Sequence, residues 1–255
     1  MKNELWKKRA LIWNFALSDL KLRYRNSVLG FFWTVLEPLL MLAVLYFVFT
    51  SLFPSPIEQF GLYLLLGIIM WNMFARGTEL GLNSFLARSG MLGQIYFPRE
   101  VMAISSALTA FLMLIFELLV FGIFLIVFQF IPPITILLLP LVLILEFILT
   151  VGLNFSLSVL NVRFRDTQFI WRVILQAGFF LTPIIYSFQM LPEYIQNVLK
   201  ISPMAQLVNI GHDLALYNKM PNEESILISI LVVGTIFIVS YLVYKKYQKR
   251  IIEEL

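Results

Sequence analysis

The chain reads as an all-α integral membrane protein with six transmembrane helices, and three observations predict this. Hydrophobic residues make up 60% of the sequence and charged residues 13%, where soluble domains carry roughly 25% charged residues. Six apolar stretches recur along the chain. At a rise of about 1.5 Å per residue, such runs can cross a hydrocarbon core of about 30 Å. Lysine and arginine are also segregated. With the N-terminus inside, segments 1–28, 86–100, 161–167 and 245–255 hold fifteen of the 19 basic residues. The outer segments hold only Lys200 and Lys219, a clear positive-inside signal.

Residues 1–28 form the first element, an amphipathic interface helix. Lys7, Asn14, Ser18, Lys21 and Arg25 fall on one helical face, and Trp6, Trp13, Leu17 and Leu20 cover another. The charges in this segment, and the length of the run after it, argue against a cleaved signal peptide. The first span, 29–53, is 25 residues with one charge, Glu37, followed by Pro38. Proline there loosens the backbone ladder and kinks the helix.

Further spans are predicted at 60–82, 101–130, 134–160, 168–188 and 225–244. Breaks at PSPIEQ, IPP and NVRFRD separate several of them. The outer segment 183–224 is too apolar for a solvated loop. Prolines 183, 192, 203 and 221 interrupt it too often for a crossing. Two short re-entrant helices, near 192–200 and 203–217, fit it, with His212 and Asp213 as polar surface.

Several function classes are excluded. No G-x-x-x-x-G-K-[ST] occurs, so the chain has no P-loop of its own, and no H-E-x-x-H or G-x-S-x-G occurs. Cysteine is absent, which rules out disulfides and thiolate metal sites, and one histidine cannot form a histidine metal cluster. No metal site is therefore expected. The net charge of +4 follows from membrane topology and gives no reason to expect nucleic acid. Charged groups inside the spans are costly and often functional. Glu37, Glu117 and Glu146 lie in apolar surroundings, and Arg76 and Glu79, three apart, are placed to pair on one face. They fit a proton relay, or groups that face a wet lumen or pair across helices. No inverted repeat of broken helices appears, which favours the second reading.

Six motifs, in order, give the chain a resemblance. They are DLKLRYRNSVLGFFWTVLEPL (19–39), YLLLGIIMWNMF (63–74), GQIYFPREVMAISS (93–106), NVRFRD (161–166), FFLTPIIYS (179–187) and ISPMAQLVNIGHDLAL (201–216). Together they resemble the permease subunits of type-2 ABC exporters that move polysaccharides, the Wzm and TagG group. The resemblance runs nearly end to end. It implies a homodimer driven by two copies of a separate ATPase, so ATP and magnesium belong to that partner and this chain is non-catalytic with no cofactor. It implies a coupling loop at about 86–100, with Gln94, Ile95, Tyr96, Phe97, Pro98 and Arg99 at the ATPase contact. It makes 183–224 the outer gate and residues 29–255 one permease domain in the plasma membrane, both termini cytoplasmic.

The resemblance also sharpens the hinge after residue 22. Arg23, Arg25, Asn26, Ser27, Leu29 and Gly30 stand where the first span begins. Guanidinium groups beside free helix N–H groups attract phosphate, such as that of a polyprenyl-pyrophosphate-linked polysaccharide. Plain anchoring to membrane lipid phosphates fits the same residues. Trp33, Tyr46, Phe47, Phe49, Phe180 and Tyr186 lie on the implied channel helices, where aromatic faces can stack on sugar rings; facing lipid is the alternative. The competing functions are a secondary transporter or channel without an ATPase, an ABC exporter of a drug or lipid, and a membrane transferase. The last needs a compact carboxylate or histidine set, which the sequence lacks.

Overall fold

A computed structural model describes residues 8–51, 57–92 and 98–248, and the regular structure among them is helical. The helices are α1 (Arg9–Arg23), α2 (Trp33–Ser51), α3 (Phe60–Leu82), the one-turn α4 (Ser89–Leu92), α5 (Glu100–Val127), α6 (Leu139–Arg163), α7 (Thr167–Leu181), α8 (Glu193–Leu199), α9 (Pro203–Leu216) and α10 (Glu223–Tyr247). Short 3-10 turns lead into α2, α4 and α6. Among the described residues, five stretches are long and apolar enough to span: Gly30–Ser51, Phe60–Leu82, Glu100–Val127, Ile134–Arg163 and Glu223–Tyr247.

The stretch expected as a span at 168–188 is shorter than the sequence suggests. Helix α7 has 15 residues, about 22 Å at 1.5 Å each, less than the bilayer core. It stops at Leu181 because Thr182 precedes Pro183 and is extended, with ψ 140. A residue before proline avoids the helical region for steric reasons.

Helix α3 sits at the centre, packed by α2, α5, α6, α7 and α9. Small residues let its neighbours approach, which matters most at Gly81. A Cβ there would lie 2.0 Å from Cγ of Asn154. The Asn154 amide donates to the carbonyls of Gly77 and Ala103, each at 3.1 Å, and so joins α6 to α3 and α5. Nearer the end of α3, Asn161 donates to the Leu82 carbonyl at 3.1 Å.

The charges inside the bundle pair differently from expectation. Arg76 of α3 forms its ion pair with Glu117 of α5, and Glu79, three residues further on, is exposed. Glu117 is 41 residues from Arg76, so a contact between helices outcompetes the local pair. Glu146 of α6 is fully buried, and neither of its carboxyl oxygens has a hydrogen-bond partner. Glu37 is exposed on α2.

Helix α1 presents three faces. Ala16 is buried, with Leu11, Ile12 and Phe15 packed beside α5, and the Thr109 hydroxyl donates to the Ala16 carbonyl at 3.3 Å. Asn14, Ser18 and Lys21 are exposed, and Trp13 lies on a third, apolar face.

Candidate functional site

At the hinge between α1 and α2 the backbone turns twice through the left-handed region, at Asn26 (φ 64) and Gly30 (φ 52). Asparagine and glycine tolerate that conformation best. Ser27 Oγ accepts from the Gly30 N–H at 3.2 Å, which closes the turn. The Thr34 hydroxyl donates to the Tyr24 hydroxyl at 2.8 Å, and Phe31 packs edge-on against Phe116 of α5. The turn is thus held from both sides while Arg23, Arg25, Asn26, Ser27 and Leu29 stay exposed. Arg23 is also within electrostatic reach of the buried Glu117.

The six candidate lining aromatics divide into groups. Trp33 and Phe47 lie on one exposed stripe of α2 with Glu37, Leu40 and Val44, at steps of three and four residues. Tyr46 and Phe49 instead turn toward Phe60 at the start of α3, with centroids 6.2 and 6.4 Å away. Phe180 is exposed on α7. Tyr186 lies in the turn after α7, where its hydroxyl donates to the Leu181 carbonyl at 2.8 Å. The structure therefore brings only Trp33 and Phe47 together on one open face.

Of the loop expected to meet an ATPase, Gln94, Ile95, Tyr96 and Phe97 lie outside the described residues; Pro98 and Arg99 are described. Both flanks of this loop are tied down. Before it, Arg88 forms an ion pair with Asp19 of α1 and stacks its guanidinium 4.7 Å from the Phe15 ring centroid. After it, an Arg99 N–H donates to the Gln248 carbonyl at the end of α10. Asp19 was not among the sequence candidates. A signal for it exists, since it is the only acid between Glu4 and Glu37 in a basic segment.

At the opposite end of α3 is a cavity of about 450 Å³, between the start of that helix, the turn at 187–190 and α9. His212, expected as polar surface, is 1% exposed here. Its ring stacks on Tyr63 with centroids 3.6 Å apart, and Nε2 is 2.9 Å from the Tyr63 carbonyl oxygen. The cause is the burial of α9, in which all but three of 14 residues are buried. Loss of hydration pushes the His212 pKa down to about 3, so the ring is neutral at physiological pH. Burial raises the Asp213 pKa, offset in part by Lys219. Burial, then the charges of Asp213 and Glu58, push Tyr217 up to about 12. The Tyr63 hydroxyl donates to the carbonyls of Pro183 and Tyr186, at 3.0 and 2.9 Å, and fixes the turn that walls the cavity.

Among the described residues no group of three or more acidic or histidine side chains is placed to hold a metal ion. The arrangement is that of a helical scaffold with one clamped loop, one open aromatic stripe and one polar cavity. Residues 11–212 match the family described as ABC-2 type transporter. The chain belongs to the ABC-2 type transporter family. Three curated relatives of this ABC-2 chain carry the name O-antigen export system permease protein RfbA. One from Klebsiella pneumoniae is 31% identical over 197 residues, covering 77% of this chain and 76% of the relative. A second from the same organism is 30% identical over 236 residues, covering 92% and 91%. One from Myxococcus xanthus is 27% identical over 226 residues, covering 88% and 87%. The family, with five span-length apolar helices, makes this ABC-2 chain a multi-pass membrane protein.

Proposed function

We propose that this chain is the membrane-spanning permease subunit of an ATP-driven exporter that moves a lipid-linked polysaccharide, of the O-antigen, capsule or teichoic acid class, across the plasma membrane. The observation that carries this reading is the match of 11–212 to the ABC-2 type transporter family, together with relatives named as O-antigen export permeases over nearly the whole chain. Two copies of the chain work with two copies of a separate ATPase, which binds the ATP and magnesium. The loop around Gln94 to Arg99 is the docking element, and the clamps at Arg88 and Arg99 support that role. Both termini are cytoplasmic, α1 lies in the interface, and residues 167–188 make a sixth, short crossing completed by the non-helical turn. Helices α8 and α9 form the re-entrant outer gate.

Glu37 supports the second copy. A carboxylate on an otherwise apolar exposed stripe is unfavourable against lipid tails. The stripe with Trp33, Val44 and Phe47 therefore faces protein or a wet lumen, where its aromatics can meet sugar.

Deleting the gene tests the function. Cells should lose the surface polymer and accumulate finished lipid-linked polymer on the cytoplasmic side, measured by extraction and glycan analysis. Normal surface polymer in the deletion strain sinks the reading. The hinge has its own test. Arg23→Ala and Arg25→Ala should each impair export while the complex assembles. A lost charge-assisted phosphate contact costs about 1.5–3 kcal/mol, or roughly ten- to a hundred-fold in affinity. The Arg23→Lys, Arg25→Lys double variant should recover only part, since ammonium lacks the two-pronged geometry. Full recovery would leave a plain topological anchor.

A further inference from the structure

The cavity behind α9 has a composition that selects a ligand class. Its wall carries the carboxylates of Glu58 and Asp213, the ammonium of Lys219, the amide of Asn209 and the rings of Tyr217 and His212. The volume of about 450 Å³ lies within the roughly 300–1,000 Å³ of small-molecule sites. Two carboxylates against one ammonium disfavour an anion such as phosphate. Amide and ammonium donors interleaved with carboxylate acceptors suit hydroxyl groups, each of which both donates and accepts.

His212 adds an independent observation. The Tyr63 carbonyl can only accept, so Nε2 carries the proton and Nδ1 of the neutral ring presents a lone pair. That Nδ1 is buried and has no partner. An unsatisfied buried acceptor is costly, and His212 is one of the residues that line the cavity. Asn209 is already oriented, its amide donating to the Asp213 carboxylate at 3.3 Å. Phe188 and Tyr217 add aromatic rings to the lining.

We infer that this cavity is a binding site for one neutral sugar residue of the exported polymer, at the end of the bundle away from the α1 hinge. The inference rests on the exporter reading and adds a saccharide site distinct from the pyrophosphate contact proposed at Arg23 and Arg25. A chain whose first sugars are held here as they emerge is hindered from slipping back.

The test uses the permease–ATPase complex in lipid nanodiscs. The probe is the cell's own surface polymer freed of its lipid by mild acid, and sugar-free polyprenyl pyrophosphate is the control. Calorimetry should show the freed polymer binding the wild type. Asp213→Asn and Asn209→Ala should weaken it on the order of tenfold, with sugar-free carrier binding unchanged. Gln189→Ala and Lys219→Ala, both at exposed positions on the cavity rim, should weaken it severalfold even where a buried variant fails to assemble. Freed polymer that binds all variants equally, or does not bind the wild type, overturns the site. If surface polymer is still lost in the deletion strain, the exporter reading survives that result. Normal surface polymer in that strain overturns both.

Discussion

The first two span-length helices are opposites in their surroundings. The stretch Gly30–Ser51 has a mean hydropathy of 2.0 and only 17% of its most apolar window buried; Phe60–Leu82 has 1.3 and 89%. The less apolar helix is the more buried one, the reverse of a soluble protein. In lipid there is no hydrophobic gain in hiding leucine from tails that are equally apolar, so close packing and polar contacts decide which helix goes inside. Helix α3 carries Gly67, Gly77, Gly81, Arg76 and Thr78 among its buried residues. Helix α2 buries only Thr34, Pro38 and Leu42.

Three substitutions test that contrast. The largest effect belongs to Arg76→Met, which strands Glu117 without its partner in the interior. Breaking a buried pair from one side costs about 3–5 kcal/mol. It should appear as a large fall in thermal stability of the detergent-solubilised protein. Replacing both, Arg76→Met with Glu117→Leu, should recover most of the loss. A single variant as stable as wild type would mean that the charges in α3 do not define its buried state.

An intermediate effect is expected from Gly81→Ala, whose methyl group meets the Asn154 amide and forces α3 and α6 apart. Overpacking of this kind costs about 1–3 kcal/mol, read as a lower melting temperature. The smallest effect belongs to Val44→Ala on the open stripe of α2, where Val44 is 61% exposed. Stability within the single protomer should change by no more than about 0.5 kcal/mol. A fall in dimer fraction at constant protomer stability would show the stripe to be covered by a second copy.

Much of this fold was legible in the sequence, for reasons that vary by element. Five spans follow from length and hydropathy alone, and the short helices of the outer segment follow from Pro192 and Ser202-Pro203, where α8 and α9 begin. Ser202 Oγ accepts from the Ala205 N–H, an ordinary helix cap. The length of α7 was overestimated because apolar residues continue past Thr182 although the backbone does not.

Which side of a uniformly apolar helix meets protein has little periodic signal, so the lining aromatics could not be sorted in advance. Tyr46 and Phe47 are adjacent, yet only Phe47 is on the open stripe. Long-range pairing was illegible too. His212 finds its partner 149 residues away in Tyr63, and Arg76 finds Glu117 rather than its neighbour Glu79.

The two clamps on the loop before α5 impose an order on biosynthesis. Asp19 and Arg88 leave the ribosome early and can meet as soon as α1 reaches the end of α3. Arg99 must wait, because its acceptor is the carbonyl of Gln248, beyond the last helix, Glu223–Tyr247. Until that helix is made, the loop is tethered on one flank only. Translation that stops short of residue 248 thus leaves a bundle with most of its spans and a half-secured loop, unlike the finished subunit.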